Sequence, residues 1–158
     1  CNRGGILRRD PDACQEMIFG SNKVKREVVE ADPKEKGERA LLNFGHTLGH
    51  AVEKLKGFSL PHGHCVALGC LAACRISAGR GYLSEEEFLG VKAVMEAFGL
   101  PLGTEGVFAD QVFEAVRHDK KMEAGKVKFI LLEKLGQAFI DKTVSQKEML
   151  SGLSEILC

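Results

Sequence analysis

The stretch Asn43-Phe44-Gly45-His46-Thr47-Leu48-Gly49-His50-Ala51-Val52-Glu53, with Leu60-Pro61-His62-Gly63-His64 shortly after it, holds four of the chain's five histidines. Imidazole is the commonest neutral metal ligand and the one side chain whose unperturbed titration falls near neutral pH. Glycine lets a backbone approach an ion or a ligand closely, and here it flanks the histidines. His46 and His50 are four apart, so on a helix they share one face. His62 follows a break and can swing back onto that face. The pattern predicts a metal-assisted or acid–base site built on helices.

Outward from this stretch, helical signals dominate. Apolar residues at Met17, Val24 and Val28 with charges between them predict a helix over 12–30, and the charged run 32–37, with Pro33 and Gly37, ends it. A second helix is expected over 38–55, carrying His46 and His50. Its interruptions by Asn43, Gly45 and Gly49 are costly, up to about 1 kcal/mol for each glycine, so something packs closely there: a bound group or simply a neighbouring helix. After a turn at 57–61, a helix from 64 or 65 to 80 is apolar nearly all round and therefore buried. Ser84 with Glu87, and Ser145 with Glu148, have capping-box spacing and open helices that run to about Ala97 and toward the C-terminus. A shorter helix spans 110–117. Strands at 126–132 and 137–142 pair as a hairpin. The fold class is mainly α, with a small β-hairpin near 126–142.

Composition narrows the function. A chain of 158 residues suits one globular domain. Twenty-two basic and 22 acidic side chains give a formal net charge of zero, which argues against nucleic-acid or membrane-surface partners that need a basic excess. No apolar run nears the roughly 20 residues that span a bilayer. The six cysteines include no CxxC pair, and Cys70 and Cys74 share an alanine-rich helical face. Reduced thiols and a cytoplasmic location are expected.

A single histidine is more often a core or surface residue than a ligand. Three of them reaching one place from two elements favour a metal, although a catalytic zinc site takes three protein ligands and an open position. Glu53 and Glu35 are the nearby carboxylates. A cationic set accompanies the histidines: Lys25, Arg39, Lys120 and Lys121, with Asn43 four residues beyond Arg39. On a continuous helix Arg39, Asn43, His46 and His50 form one stripe, suited to a phosphate or carboxylate beside a metal.

The run Ser21-x3-Lys25, Val28-Val29-x2-Asp32-x2-Glu35-x-Gly37-x-Arg39-x2-Leu42-Asn43-Phe44-Gly45-His46-Thr47-x-Gly49-His50-Ala51-x-Glu53 resembles the 3-dehydroquinate synthases. So do His62-Gly63-x2-Val66-Ala67-x-Gly69 and Asp119-Lys120-Lys121-x3-Gly125-x-Val127. The likeness covers nearly the whole chain and is to the family's C-terminal half. It implies a helical C-terminal metal- and substrate-binding domain over 1–158, with the N-terminal NAD-binding domain absent from this chain. It also implies that the family's third metal ligand, a glutamate, lies upstream. His64 departs from the family, where many members have glutamate, and receives no metal role.

By this resemblance the whole enzyme converts 3-deoxy-D-arabino-heptulosonate 7-phosphate to 3-dehydroquinate and phosphate, in the shikimate route to aromatic amino acids. NAD transiently oxidises a ring hydroxyl, phosphate is eliminated, the ketone is reduced back and the ring closes by an aldol step. The implied metal is zinc, or cobalt, on His46 and His62. His50 and Glu35 are the implied catalytic residues. Lys25, Arg39, Asn43, His46, His62, Lys120 and Lys121 are the implied substrate contacts. A homodimer is implied for the full-length enzyme, and inactivity for the isolated domain. The alternatives are another sugar-phosphate cyclase of inosose or valiolone type, a metal-dependent alcohol dehydrogenase, or a stand-alone metal-binding regulatory module.

Overall fold

In the computed structural model, residues 2–34, 37–117 and 127–158 are described. They form two compact units, Cys1–Leu42 and Asn43–Cys158.

The first unit is a short helix α1 (Arg3–Leu7) and a long helix α2 (Pro11–Ala31). Asp10 caps α2 by accepting the Ala13 amide at 3.0 Å, and Pro11 begins it where no amide is needed. The helix forms where the sequence places it, one residue longer at each end, and its apolar Met17 and Val24 are exposed. Past its end the Asp32 carboxylate accepts the amides of Gly37 (2.7 Å) and Arg39 (3.2 Å), and the Arg39 guanidinium donates to the Pro33 carbonyl.

The second unit is built around α4 (His62–Gly79), on which α3 (His46–Leu55), α5 (Glu85–Ala97), α7 (Gln146–Ser154) and strand β1 (Phe129–Lys134) all pack. Helix α6 (Ala109–Arg117) packs on α3 and α7. The all-round apolar composition of α4 has its expected result: Cys65, Leu68, Leu71, Ala72 and Cys74 are buried from solvent. Together with Leu48, Val52, Phe88, Phe129, Leu131, Leu153 and Ile156 they make one core. Burial pushes the Cys70 thiol up to about 12 and Cys74 up to about 11, so both stay protonated and unreactive at neutral pH.

Strand β1 pairs antiparallel with β2 (Gln137–Asp141), Leu131 opposite Phe139, with an irregularity between Leu132 and Lys134. Gly136, at φ +84°, takes the left-handed position of the tight turn. The hairpin docks onto α4 through Ser77, whose hydroxyl donates to the Ala73 carbonyl and accepts the Leu132 amide, both at 3.0 Å. Both capping boxes form, Ser84 with Glu87 and Ser145 with Glu148. Among the described residues, no helix is long and apolar enough to cross a membrane.

Arg80 joins the end of α4 to the start of α7, donating to Glu148 and, at 2.9 Å, to Asp141. The Arg80 guanidinium, helped by the Ser145 amide, holds the Glu148 carboxyl down at about 2. Burial alone would raise Asp141, but the Thr143 amide and Arg80 outweigh it and keep it below its ordinary value. A depressed folded-state carboxyl stabilises fully above its unfolded value, near 4.5 for Glu148, and loses that contribution as pH falls toward 2. The destabilisation caused by Arg80→Ala should therefore shrink by about half between about pH 6 and pH 3. Urea unfolding of both proteins at the two pH values measures it, and a pH-independent difference would contradict the pairing.

Candidate metal centre

The site begins with a departure from the expected helix. Residues 38–55 are not one helix but a 3-10 segment, Glu38–Asn43, and the α-helix α3, separated by Phe44 and Gly45. Gly45 sits at φ +78° and serves as the N-cap of α3, a backbone conformation that disfavours any residue with a Cβ. Space forbids a side chain there as well, since a Cβ would lie 2.5 Å from the Cys70 sulfur and 2.7 Å from the Val66 carbonyl oxygen. Gly49 and Gly69 are equally confined. A Cβ on Gly49 would stand 2.7 Å from the Cys65 carbonyl oxygen, and one on Gly69 would press on the Gly45 carbonyl and stand 2.7 Å from the Gly49 amide nitrogen. These glycines let α3 and α4 cross backbone to backbone. Close helix packing accounts for these costly glycines.

His46 is thus the first residue of α3, and His62 the first residue of α4. The chain reverses between them through Gly57 (φ +56°) and Phe58 (φ +62°). The ring centres of His46 and His50 are 5.1 Å apart, those of His46 and His62 5.7 Å, and those of His50 and His62 5.4 Å. Three imidazoles from two helix beginnings converge on one place.

Glu53, one turn after His50 on α3, lies beneath them. Its carboxylate is 3.1 Å from His50 Nδ1, and its two oxygens are 3.1 and 3.2 Å from His62 Nδ1. The Glu53 side chain is only 14% exposed, against 38% for His50 and 53% for His62. Hydrogen bonds to His50 first, and then to His62, outweigh burial and hold its carboxyl below the ordinary value. His46 Nδ1 is 3.1 Å from the Phe44 carbonyl oxygen.

Among the described residues, His50, Glu53 and His62 each offer one donor atom with all three within 4.8 Å of one another. Two imidazoles and a carboxylate suit the nitrogen and oxygen preferences of zinc. Two imidazoles on one tetrahedral ion have ring centres roughly 5 Å apart, given zinc–nitrogen bonds of about 2.0–2.1 Å. All three histidine pairs fall near that separation, so the donor chemistry fits a metal. The choice of His46 and His62 as the ligand pair comes from the family resemblance.

The other site residues expected from the sequence are distributed as follows. Asn43 closes the 3-10 segment, is half-buried and belongs to the second unit. Lys25 is exposed on α2 and Arg39 is half-buried in the 3-10 segment, both in the first unit. The continuous stripe from Arg39 to His50 does not exist as one helical face, because the chain turns left-handed at Gly45. Glu35, Lys120 and Lys121 lie outside the described residues. Sequence reasoning offered Glu53 as a ligand by proximity and missed its contact with two rings at once. The signal was its spacing of three from His50.

The sequence model of a family described as 3-dehydroquinate synthase C-terminal matches residues 2–122. The 3-dehydroquinate synthase of Dehalococcoides mccartyi (strain CBDB1) is 36% identical over 155 residues, covering 98% of this chain and 43% of its own length. That of Desulforamulus reducens is 38% identical over 156 residues, covering 98% and 44%. This chain therefore spans less than half the length of these curated relatives. Among solved structures, a 2-epi-5-epi-valiolone synthase from Streptomyces hygroscopicus subsp. jinggangensis 5008, with NAD+ and Zn2+ bound, superposes with a TM-score of 0.84. It is 24% identical, and the match covers 96% of this chain and 44% of that one. At that identity the likeness speaks for the fold alone.

Proposed function

Since the chain belongs to the 3-dehydroquinate synthase family, through its C-terminal part, we propose that it is the metal- and substrate-binding half of an enzyme that makes 3-dehydroquinate. The substrate is 3-deoxy-D-arabino-heptulosonate 7-phosphate, and the second product is inorganic phosphate. The observation that carries this reading is the convergence of His46, His50 and His62 from the starts of α3 and α4. His46 and His62 hold the metal, zinc or cobalt, which when bound polarises the substrate hydroxyl undergoing oxidation. NAD, which would supply the hydride acceptor, would be held mainly by a separate N-terminal domain.

This chain's own residues bind and move protons. His50, beside both ligand histidines, carries a proton to or from the substrate or its phosphate. Arg39, Asn43, Lys25 and one of Lys120 or Lys121 offset the phosphate and carboxylate charges, and Glu35 orients a histidine or a substrate hydroxyl. These assignments follow the family pattern residue by residue. They make the enzyme a phosphorus–oxygen lyase of the shikimate pathway, working in the cytoplasm as a homodimer.

Phosphate release tests the reading. Joined to an upstream NAD-binding half, the chain should liberate phosphate from the heptulosonate phosphate. Turnover of carboxylate-free sugar phosphates alone would retain the cyclase chemistry and reject the substrate. Tight zinc binding with no turnover of any sugar phosphate would favour the regulatory-module alternative.

A further inference from the structure

Three ring nitrogens at this site, one on each histidine, face oxygen acceptors. A carboxylate or a carbonyl oxygen can only accept, so an imidazole nitrogen that hydrogen-bonds to one must carry the proton. His46 Nδ1 faces the Phe44 carbonyl, while His50 Nδ1 and His62 Nδ1 face the same Glu53 carboxylate. A proton on Nδ1 of a neutral ring puts the lone pair on Nε2. Glu53 reaches both rings because it sits one turn after His50 on α3 and opposite the first residue of α4.

We propose that Glu53 is a positioning residue that fixes His50 and His62 together in the Nδ1-protonated form, so that one carboxylate sets the tautomer of the metal-binding ring and of the proton-carrying ring. The roles of those rings rest on the functional reading above, whereas their tautomers do not. A histidine ligand whose other nitrogen donates to a carboxylate is oriented and made more basic. Here the same carboxylate also serves the neighbouring base. The two rings cannot be tuned independently: a change at Glu53 alters the metal affinity and the proton transfer at once.

The test is nitrogen-15 NMR of the labelled 158-residue chain, stripped of metal by a chelator, at about pH 8, where ordinary histidines are neutral. Long-range proton–nitrogen correlations should show His46, His50 and His62 protonated at Nδ1, whereas free histidine in water favours Nε2. In Glu53→Ala, His50 and His62 should shift to the Nε2-protonated form while His46, held by Phe44, stays unchanged as the internal control. Glu53→Gln should split the pair, because its amide oxygen accepts from one ring while its NH2 donates to the other. Competition with a chelator should show zinc bound about 10–100-fold more weakly by Glu53→Ala than by the parent chain.

A parent chain with His50 or His62 protonated at Nε2 overturns the proposal, whatever the variants do. So do unchanged tautomers in Glu53→Ala, or zinc bound through His62 Nδ1. If the tautomers behave as expected but the chain joined to its upstream half takes up no zinc, the metal reading fails and the positioning by Glu53 stands.

Discussion

His62→Ala, in the chain joined to its NAD-binding half, should lower phosphate release from the heptulosonate phosphate by about a thousandfold or more. Lewis-acid stabilisation by a bound metal is worth several kcal/mol, and each 1.36 kcal/mol is about tenfold in rate. His46→Ala should cause a loss of the same size. The more telling result is the double variant. If the two rings hold one ion, removing either removes the metal's contribution, so His46→Ala/His62→Ala should be scarcely worse than either single change. Multiplying losses would mean that the two histidines act separately. His50→Ala should differ in kind, keeping zinc in a chelator-competition assay while losing the pH dependence that a proton carrier gives to the rate. If the hydride acceptor is held by the separate N-terminal half, as proposed, the isolated 158-residue chain should release no phosphate even with zinc and NAD added.

Gly69→Ala should be the most destabilising single methyl in the second unit. The added carbon would press on the Gly45 carbonyl and stand 2.7 Å from the Gly49 amide nitrogen. Backbone of this kind cannot swing aside as a flexible side chain can. Overpacking commonly costs about 1–3 kcal/mol, and this position belongs at the upper end, about 3 kcal/mol. For a domain of this size that lowers the melting temperature by about 6–12 °C. The starts of α3 and α4 must also separate, so the three imidazoles should lose their common centre and zinc affinity should fall with stability. Gly90→Ala on α5 is the control. Nothing lies within 4 Å of a Cβ there, and the change should be neutral or stabilising by up to about 1 kcal/mol. Equal melting temperatures for the Gly69→Ala and Gly90→Ala proteins would refute the packing argument.

These two glycines show where sequence reasoning succeeds and where it stops. The helices opened by Ser84 and Ser145 were legible because a capping box is local: the hydroxyl, the carboxylate and both amides lie within four residues. The burial of α4 was legible from composition, and the hairpin from its β-branched runs and Gly136. The break at Gly45 was not legible. Spacings of three and four fit a helix through His46 whether or not the chain turns left-handed just before it. The deciding contact is with Val66 and Cys70 on another helix. Similarly, the clustering of histidines pointed to the site, but the second ring bound by Glu53 depends on how α4 returns. Periodicity also placed a helix through Met17 and Val24, whose side chains face solvent in the first unit. A helical pattern reports a face that can be covered, without saying by what.

The connector between α3 and α4 gives the site one more property. His46, His50, Glu53 and His62 all fall between positions 46 and 62, closed by a single reversal at Gly57 and Phe58. Beside the close crossing of α3 and α4, one brace on this stretch comes from far along the chain, with Thr47 Oγ1 donating to the Lys128 carbonyl 81 residues away. The chemistry is therefore of low contact order, and this brace on it is of high contact order. A helical hairpin of this length closes quickly once made, since loops of about ten residues meet in roughly 10–100 ns. The Thr47 hydrogen bond must await a residue translated much later. The ligands are contiguous enough to move between proteins as one short exon-like cassette, but the cassette would arrive without that distant hydrogen bond.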